Sequence, residues 1–385
     1  MSVPPLPRSP GGSSRFFEAY TQGLTTTELE RLFTRDAPEA YRFFSRHIDF
    51  DELKKLPWHR RVMAHWRLFF LAFTLKLTPA RRAIYGVSLL ATMLGLVELF
   101  KEVRFLLIPH PVFAPGTLWL LGGFLLLNLL VLLEVADRLS LKNDLEIARQ
   151  IQQAMLPRAA YQSPGVEAFG MTRPANTVGG DFYDIIPLPD GRVLLALGDV
   201  AGKGSPAALL MALFLAMMRT LVDERLEGAE LMTRLNAQIV KHAPSSRFVT
   251  VFLATLNPST GDLEYVNAGQ NPPLLRRASG TYERLRAGGM AIGMFEHATY
   301  STGRVEMKPG DVIVMYSDGI TEAENSDGQP FDELGVQTIV EAPGWGSAKE
   351  LGWAMFAAVE QHSQERRLVD DLTILVARRL PPLPV

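Results

Sequence analysis

The spacing of apolar positions changes character along this chain. Between Ala83 and Phe100 ("AIYGVSLLATMLGLVELF") and between Gly116 and Ala136 ("GTLWLLGGFLLLNLLVLLEVA") apolar residues are nearly unbroken. Each run approaches the roughly 20 residues that carry a helix across a bilayer. In "LEVADRLSLKNDLEIARQIQQAMLP", Leu132, Val135, Leu139, Leu145, Ala148, Ile151 and Met155 recur near helical spacing until Pro157 stops the pattern. This predicts a linker helix over 137–157, with a stripe that could pair with a second copy of itself. From about Tyr161 onward short apolar runs ("RVLLALGD", "FVTVFLATLNPSTGDLEYVNAGQ", "GDVIVMYSDG", "DDLTILVARR") alternate with Gly, Pro, Asn and Asp. They read as strands, with "NPSTGD" as a hairpin turn. Helical patterns lie between them at "SPAALLMALFLAMMRTLVD", "AELMTRLNAQIVKHA" and "SAKELGWAMFAAVEQHS", so 158–380 reads as one α+β domain.

The start is different. "MSVPPLPRSPGGSS" lacks an apolar signal core and reads as a disordered leader over 1–15. Residues 16–80 read as a small helical cytosolic or membrane-surface region, because "WRLFFLAFTLKL" (Trp66 to Leu77) is short and interrupted by Arg67 and Lys76. Lys54, Lys55, Arg60, Arg61, Arg67, Lys76, Arg81 and Arg82 precede the first long run and Arg138, Lys142 and Arg149 follow the second, against Lys101 and Arg104 between them. By the positive-inside bias, 83–136 is a two-span hairpin with both ends cytoplasmic. That predicts a multi-pass protein of the inner (cytoplasmic) membrane with its 158–380 domain in the cytoplasm. The connection "KEVRFLLIPHPVFAP" is too short to fold as an external sensor. A buried helical hairpin in a soluble protein is the competing reading, and Glu98 speaks for it.

Composition narrows the chemistry. A net charge of -2 and the absence of long basic tracts argue against nucleic acid as a partner. Zero cysteines remove disulfides, zinc-thiolate sites and thiol nucleophiles, so a metal must sit on oxygen or histidine. His47, His59, His65, His110, His242, His297 and His362 show no metal-site or phosphorelay spacing.

Aspartates instead recur at the ends of apolar runs. Asp181 and Asp184 follow Gly179-Gly180, Asp199 follows "VLLALG", Asp318 follows "VIVMYS", and Asp370-Asp371 precede "LTILV". Strand ends aim side chains from a rigid scaffold, and adjacent glycine lets backbone approach a ligand. Gathered in one pocket, these carboxylates would resist joint ionisation unless a cation neutralised them. An oxygen-only set suits Mg²⁺ or Mn²⁺ rather than zinc or copper, and a two-metal hydrolytic centre is the expectation. The competing reading is turn chemistry, since Asp-Gly is ordinary at turns.

Taken in order, "VGGDFYD", "GDVAGKGSPAALLM", "NAGQNPPLL", "KPGDVIVMYSDGITEA" and "DDLTILV" resemble the signature series of the SpoIIE/RsbU branch of the metal-dependent type 2C (PPM) serine/threonine protein phosphatases, and "ARQIQQAMLP" resembles the helix that enters that domain. The resemblance covers about Glu146 to Arg379. It implies a four-layer α/β/β/α sandwich holding two Mn²⁺ or Mg²⁺ ions. Asp181, Asp199, Asp318 and Asp370 would be ligands together with the backbone carbonyl of Val200. Asp371 and Asp184 are weaker candidates, the doublet leaving open which of its members binds. Gly202, Gly204 and Gly319 would shape turns beside the ligands, and a helix from near Pro206 would couple partner contact to the metals. The implied substrate is phosphoserine or phosphothreonine on a bacterial regulatory protein such as an anti-sigma-factor antagonist. Gln270 stands where many relatives have His; both can fill similar hydrogen-bonding roles.

Rival readings fare less well. A diguanylate cyclase hairpin needs a carboxylate where this chain has Phe182, and a phosphate loop ending at "GKGS" needs Gly and Ser/Thr where Leu197 and Gly204 stand. A membrane-tethered scaffold that binds a phosphorylated partner without turnover is the alternative from another class.

Overall fold

A computed structural model describes residues 57–58, 74, 79–103, 115–244, 246–364 and 368–381. The leader and nearly all of the 16–80 region lie outside the described residues. The chain divides into two compact units, Met1–Arg138 and Leu139–Val385.

In the first unit, helix α1 (Pro79–Val103) lies beside the first part of helix α2 (Pro115–Met155). Ser88 Oγ donates to Gly123 O at 3.0 Å, and Arg81 Nη1 stands 3.4 Å from Glu134 Oε2. Ala80–Glu98 and Thr117–Glu134 are each long and apolar enough to cross a membrane. Their outward residues are apolar too, among them Leu90, Met93, Leu118, Phe124, Leu125 and Leu132. The apolar pattern predicts a span ending at Ala136 and a separate linker helix over 137–157; the structure has one helix through both. The composition turns polar there, but no Gly or Pro lies between Gly123 and Pro157 to break the backbone pattern.

In the second unit, strands β1 (Tyr161–Ser163), β2 (Val166–Arg173), β3 (Phe182–Pro187), β4 (Val193–Val200), β5 (Val249–Leu256), β6 (Asp262–Ala268), β7 (Leu274–Arg276), β8 (Tyr282–Arg284), β9 (Gly288–Gly289), β10 (Gly303–Glu306), β11 (Val312–Tyr316) and β12 (Leu372–Arg379) form two six-stranded sheets. One runs β1-β2-β12-β11-β7-β8; the other runs β10-β6-β5-β4-β3, with β9 parallel to β6. Helices α3 (Ser205–Asp223) and α4 (Gly228–His242) pack on the second sheet, and after the short α5 (Asp318–Thr321), α6 (Asp332–Glu341) and α7 (Ala348–Ser363) pack on the first.

This is the four-layer α/β/β/α sandwich, and strand patterning explains it. Along β11, Ile313 and Met315 enter the core between the sheets, while Val312, Val314 and Tyr316 enter the core under α6 and α7. β12 divides likewise, Leu375 and Ala377 against Ile374 and Val376. Strands covered on both faces need continuous apolar runs, and these have them. Ser205–Asp223 is also apolar enough to span a membrane. Its Leu210, Met211, Phe214, Leu215 and Met218 are instead buried in the sandwich.

Candidate metal centre

The aspartates lie where strands of both sheets end. Asp181 immediately precedes β3 and Asp199 is the penultimate residue of β4. These strands pair antiparallel with Phe182 opposite Gly198, so the next step of the register sets Asp181 against Asp199. On the other sheet, Tyr316 pairs with Ile374, Asp318 opens α5 two residues beyond, and Asp370 and Asp371 lead into β12. Phe182, fully buried, stacks obliquely on Phe214 of α3 at 5.1 Å and is core rather than chemistry.

The carboxylates of the two strand ends act on one another electrostatically. Burial, with the Asp199 and Asp371 carboxylates adding, pushes Asp181 well above the ordinary carboxylate range. Burial first, then Asp318 and in lesser measure Asp370 and Asp371, lifts Asp199 to about 7. Asp318 is raised by burial and by Asp370, with Lys203 and the Gly319 amide pulling the other way. Asp181 Oδ2 is buried without a hydrogen-bond partner. An orphaned carboxylate oxygen among like charges is the environment a cation relieves.

Backbone completes the cradle. A Cβ on Gly180 would stand 2.8 Å from both Asp199 Oδ1 and Val200 O, so only glycine lets the chain pass this close to those two oxygens. Gly202 and Gly204, at φ of 105° and 75°, turn the chain from β4 into α3. Gly319 packs against the Asp371 backbone, where a Cβ would collide. Among the described residues, no group of three or more His, Asp or Glu side chains is gathered closely enough to hold a metal ion as the side chains stand. The arrangement is an open cluster of carboxylates whose donor set, all oxygen, fits hard divalent cations.

The two members of the doublet differ. Asp371, 7 % exposed, spends its carboxylate on backbone: Oδ1 accepts from Ala175 N at 2.7 Å and Oδ2 from Gly180 N at 2.8 Å. Asp370 Oδ2 stands 2.8 Å from Lys203 Nζ on the half-exposed side of the cluster. Asp184 is turned away to an ion pair with Arg219, Nε to Oδ2 at 2.7 Å. Gln270 bridges the sheets behind the carboxylates: Oε1 accepts from Thr250 Oγ1 at 2.6 Å and Nε2 donates to Tyr316 O at 3.4 Å. A cleft of about 360 Å³ opens beside Gly319 and Asp370, edged by Glu322, Glu324 and Val369. Sequence reasoning missed Lys203, Arg219 and Gln152, whose amide meets Gly179. Their partners lie up to 167 positions away (370 − 203), and no local pattern announces them.

Residues 189–380 match the family model described as Stage II sporulation protein E (SpoIIE). Asp199, Asp318, Asp370 and Asp371 fall inside the match and Asp181 before it. The phosphoserine phosphatase RsbU of Bacillus subtilis is 28% identical over 240 residues, covering 62% of this chain and 71% of that one. Protein IcfG of Synechocystis is 29% identical over 223 residues, 51% of this chain and 35% of that one. Among solved structures, the SiaA-PP2C domain of Pseudomonas aeruginosa superposes with a TM-score of 0.55 at 21% identity, covering 64% of this chain and 99% of that one.

Proposed function

This chain belongs to the SpoIIE/RsbU-type branch of the metal-dependent type 2C protein phosphatases, and on that premise we propose that it is a membrane-anchored enzyme which hydrolyses phosphoserine or phosphothreonine on a bacterial regulatory protein with two divalent ions. It is a protein serine/threonine phosphatase. The observation that carries the metal-dependent reading is a chain of desolvated carboxylates, Asp181 raised by burial and Asp199, Asp199 by burial and Asp318, and Asp318 by burial and Asp370, with one buried oxygen of Asp181 unpartnered.

Asp181, Asp199, Asp318 and Asp370, with the Val200 carbonyl, would hold two Mn²⁺ or Mg²⁺ ions. Bound there, such ions supply an activated water and offset charge on the phosphoryl oxygens. The chain's own groups arrange this. Asp371 is a brace rather than a ligand in this reading, because its oxygens already accept the Ala175 and Gly180 amides. Gln270 supports the site from behind, filling by hydrogen bonds the position where relatives carry His. Lys203, half exposed beside Asp370, places a positive charge at the open side, where a phosphate would arrive.

The anchor would be the α1–α2 hairpin, whose outward apolar faces suit lipid. The basic flanks favour a cytoplasmic catalytic domain in the inner membrane. Leu141, Ile147 and Ile151 are exposed on α2, which supports pairing of this helix with a second copy. The substrate class, a phosphorylated anti-sigma-factor antagonist or similar regulator, follows from the family resemblance. Phosphate release from a phosphoserine protein by the purified full chain in Mn²⁺ tests the activity. Wild type should turn over and Asp318→Ala should not; an equally inactive pair removes the enzymatic reading.

A further inference from the structure

We propose that Gln152 is a positioning residue for the carboxylate cluster: its side-chain amide, on the last turn of α2, sets the Gly179 peptide and through it the loop that carries Gly180 and Asp181. The inference rests on the metal-binding reading above. Gln152 is 7 % exposed. Its Nε2 donates to Gly179 O at 2.7 Å and its Oε1 accepts from Gly179 N at 3.3 Å. One side chain therefore satisfies both polar groups of one residue's backbone. That task normally falls to a neighbouring strand, and Gly179 lies in none.

What hangs on this residue is the cluster. The next amide, Gly180 N, donates to Asp371 Oδ2 at 2.8 Å, and the bare Cα of Gly180 faces Asp199 Oδ1 and Val200 O. A Cβ on Gly179 would run into the Asp371 carboxylate. Gly179 and Gly180 thus have no side chains with which to hold their own place, and between the buried Val178 and Phe182 their backbone is bonded to Gln152 on one side and Asp371 on the other. Two further bonds fasten the same helix end: Arg219 Nη2 donates to Met155 O at 2.6 Å and Tyr183 Oη to Pro157 O at 2.8 Å. Neither reaches Gly179 or Gly180, so the three attachments can be separated by mutation. Groups that orient metal ligands from the outer shell typically alter affinity by about 10- to 100-fold when removed.

The test follows Mn²⁺ binding to the full chain as loss of the free-ion EPR signal. The arms are wild type, Gln152→Met, Gln152→Asn and Tyr183→Phe, with the thermal midpoint of each metal-free protein measured in parallel. Gln152→Met, close in size but without the amide, should bind Mn²⁺ at least about tenfold more weakly. Gln152→Asn, one methylene short of bridging both backbone groups, should weaken binding in the same direction, and it carries the comparison if Gln152→Met does not fold. Tyr183→Phe loosens the same helix end and should keep the wild-type affinity, whatever its midpoint. Wild-type Mn²⁺ affinity in the Gln152 variants overturns the inference, as does an equal loss in Tyr183→Phe. Failure of the wild type itself to bind Mn²⁺ overturns the metal reading, and this inference with it.

Discussion

Gly180 N donates to Asp371 Oδ2 at 2.8 Å, joining residues 191 positions apart. Because Asp371 Oδ1 also accepts from Ala175 N at 2.7 Å, one carboxylate fastens the loop before β3 to the start of β12, and so the end of one sheet to the end of the other. Hydrogen bonds to charged acceptors contribute roughly 1.5–3 kcal/mol each, and orphaned buried amides add to the loss. Asp371→Ala should therefore destabilise the protein by about 2–4 kcal/mol, read as a lower urea midpoint. An unchanged midpoint would show that the brace is idle.

Asp199 behaves oppositely. Its carboxylate is held against its preferred ionisation by burial and by Asp318. Asp199→Asn keeps the shape and removes one repelling charge, so at pH 8 the metal-free variant should be more stable than wild type, on the order of 2 kcal/mol. Phosphatase activity should be lost in the same variant. Thermal midpoints and phosphate release check the two halves; a metal-free variant no more stable than wild type contradicts the repulsion.

The pH dependence follows from the same shifts. Asp181, Asp199 and Asp318 all have folded pKa values raised above the ordinary 3.8, Asp199 to about 7. A raised folded pKa means that the folded state holds the proton more tightly, so this stabilisation is complete below the unfolded value and is lost as pH rises through about 7. The melting temperature of the metal-free protein should fall between about pH 5 and pH 8, and Asp199→Asn should flatten that fall. Saturating Mn²⁺ should also reverse it, since the cation replaces the protons. A fall of equal size with and without Mn²⁺ would detach the pH effect from the cluster.

Arg219 answers Asp184, which is 2 % exposed, and its Nη2 reaches Met155 O. Removing one partner of a buried pair costs about 3–5 kcal/mol because a charge is left uncompensated. Arg219 is itself partly exposed, which lowers the expectation for Arg219→Ala to roughly 2–3 kcal/mol in denaturant unfolding. The double variant Arg219→Ala, Asp184→Asn should recover part of the loss; no recovery would mean that the pair is not the source.

These relationships divide into those the sequence displays and those it hides. Strand ends were legible because β11 and β12, covered on both faces, need unbroken apolar runs that stop at Asp318 and begin after Asp371. The hairpin at "NPSTGD" was legible through turn chemistry, with Gly261 N donating to Asn257 O at 2.8 Å. That Asp371 rather than Asp370 accepts backbone amides was not, since neighbouring residues differ only in which way the backbone turns them, and the partners of Asp371 sit near residues 175–180. The unbroken α2 was hidden for another reason: its composition changes near Ala136 while its backbone does not. Gln152 looked like one more polar position on a helix, and its role depends on a peptide 27 residues away.

The most direct test is the number of Mn²⁺ ions bound per chain at pH 7.5, by titration of wild type and Asp199→Asn in parallel. Two ions are expected on wild type, with at least one lost and the remainder weakened in the variant. Identical binding by the two proteins, or no binding by wild type, would contradict the claim that these carboxylates form a metal centre.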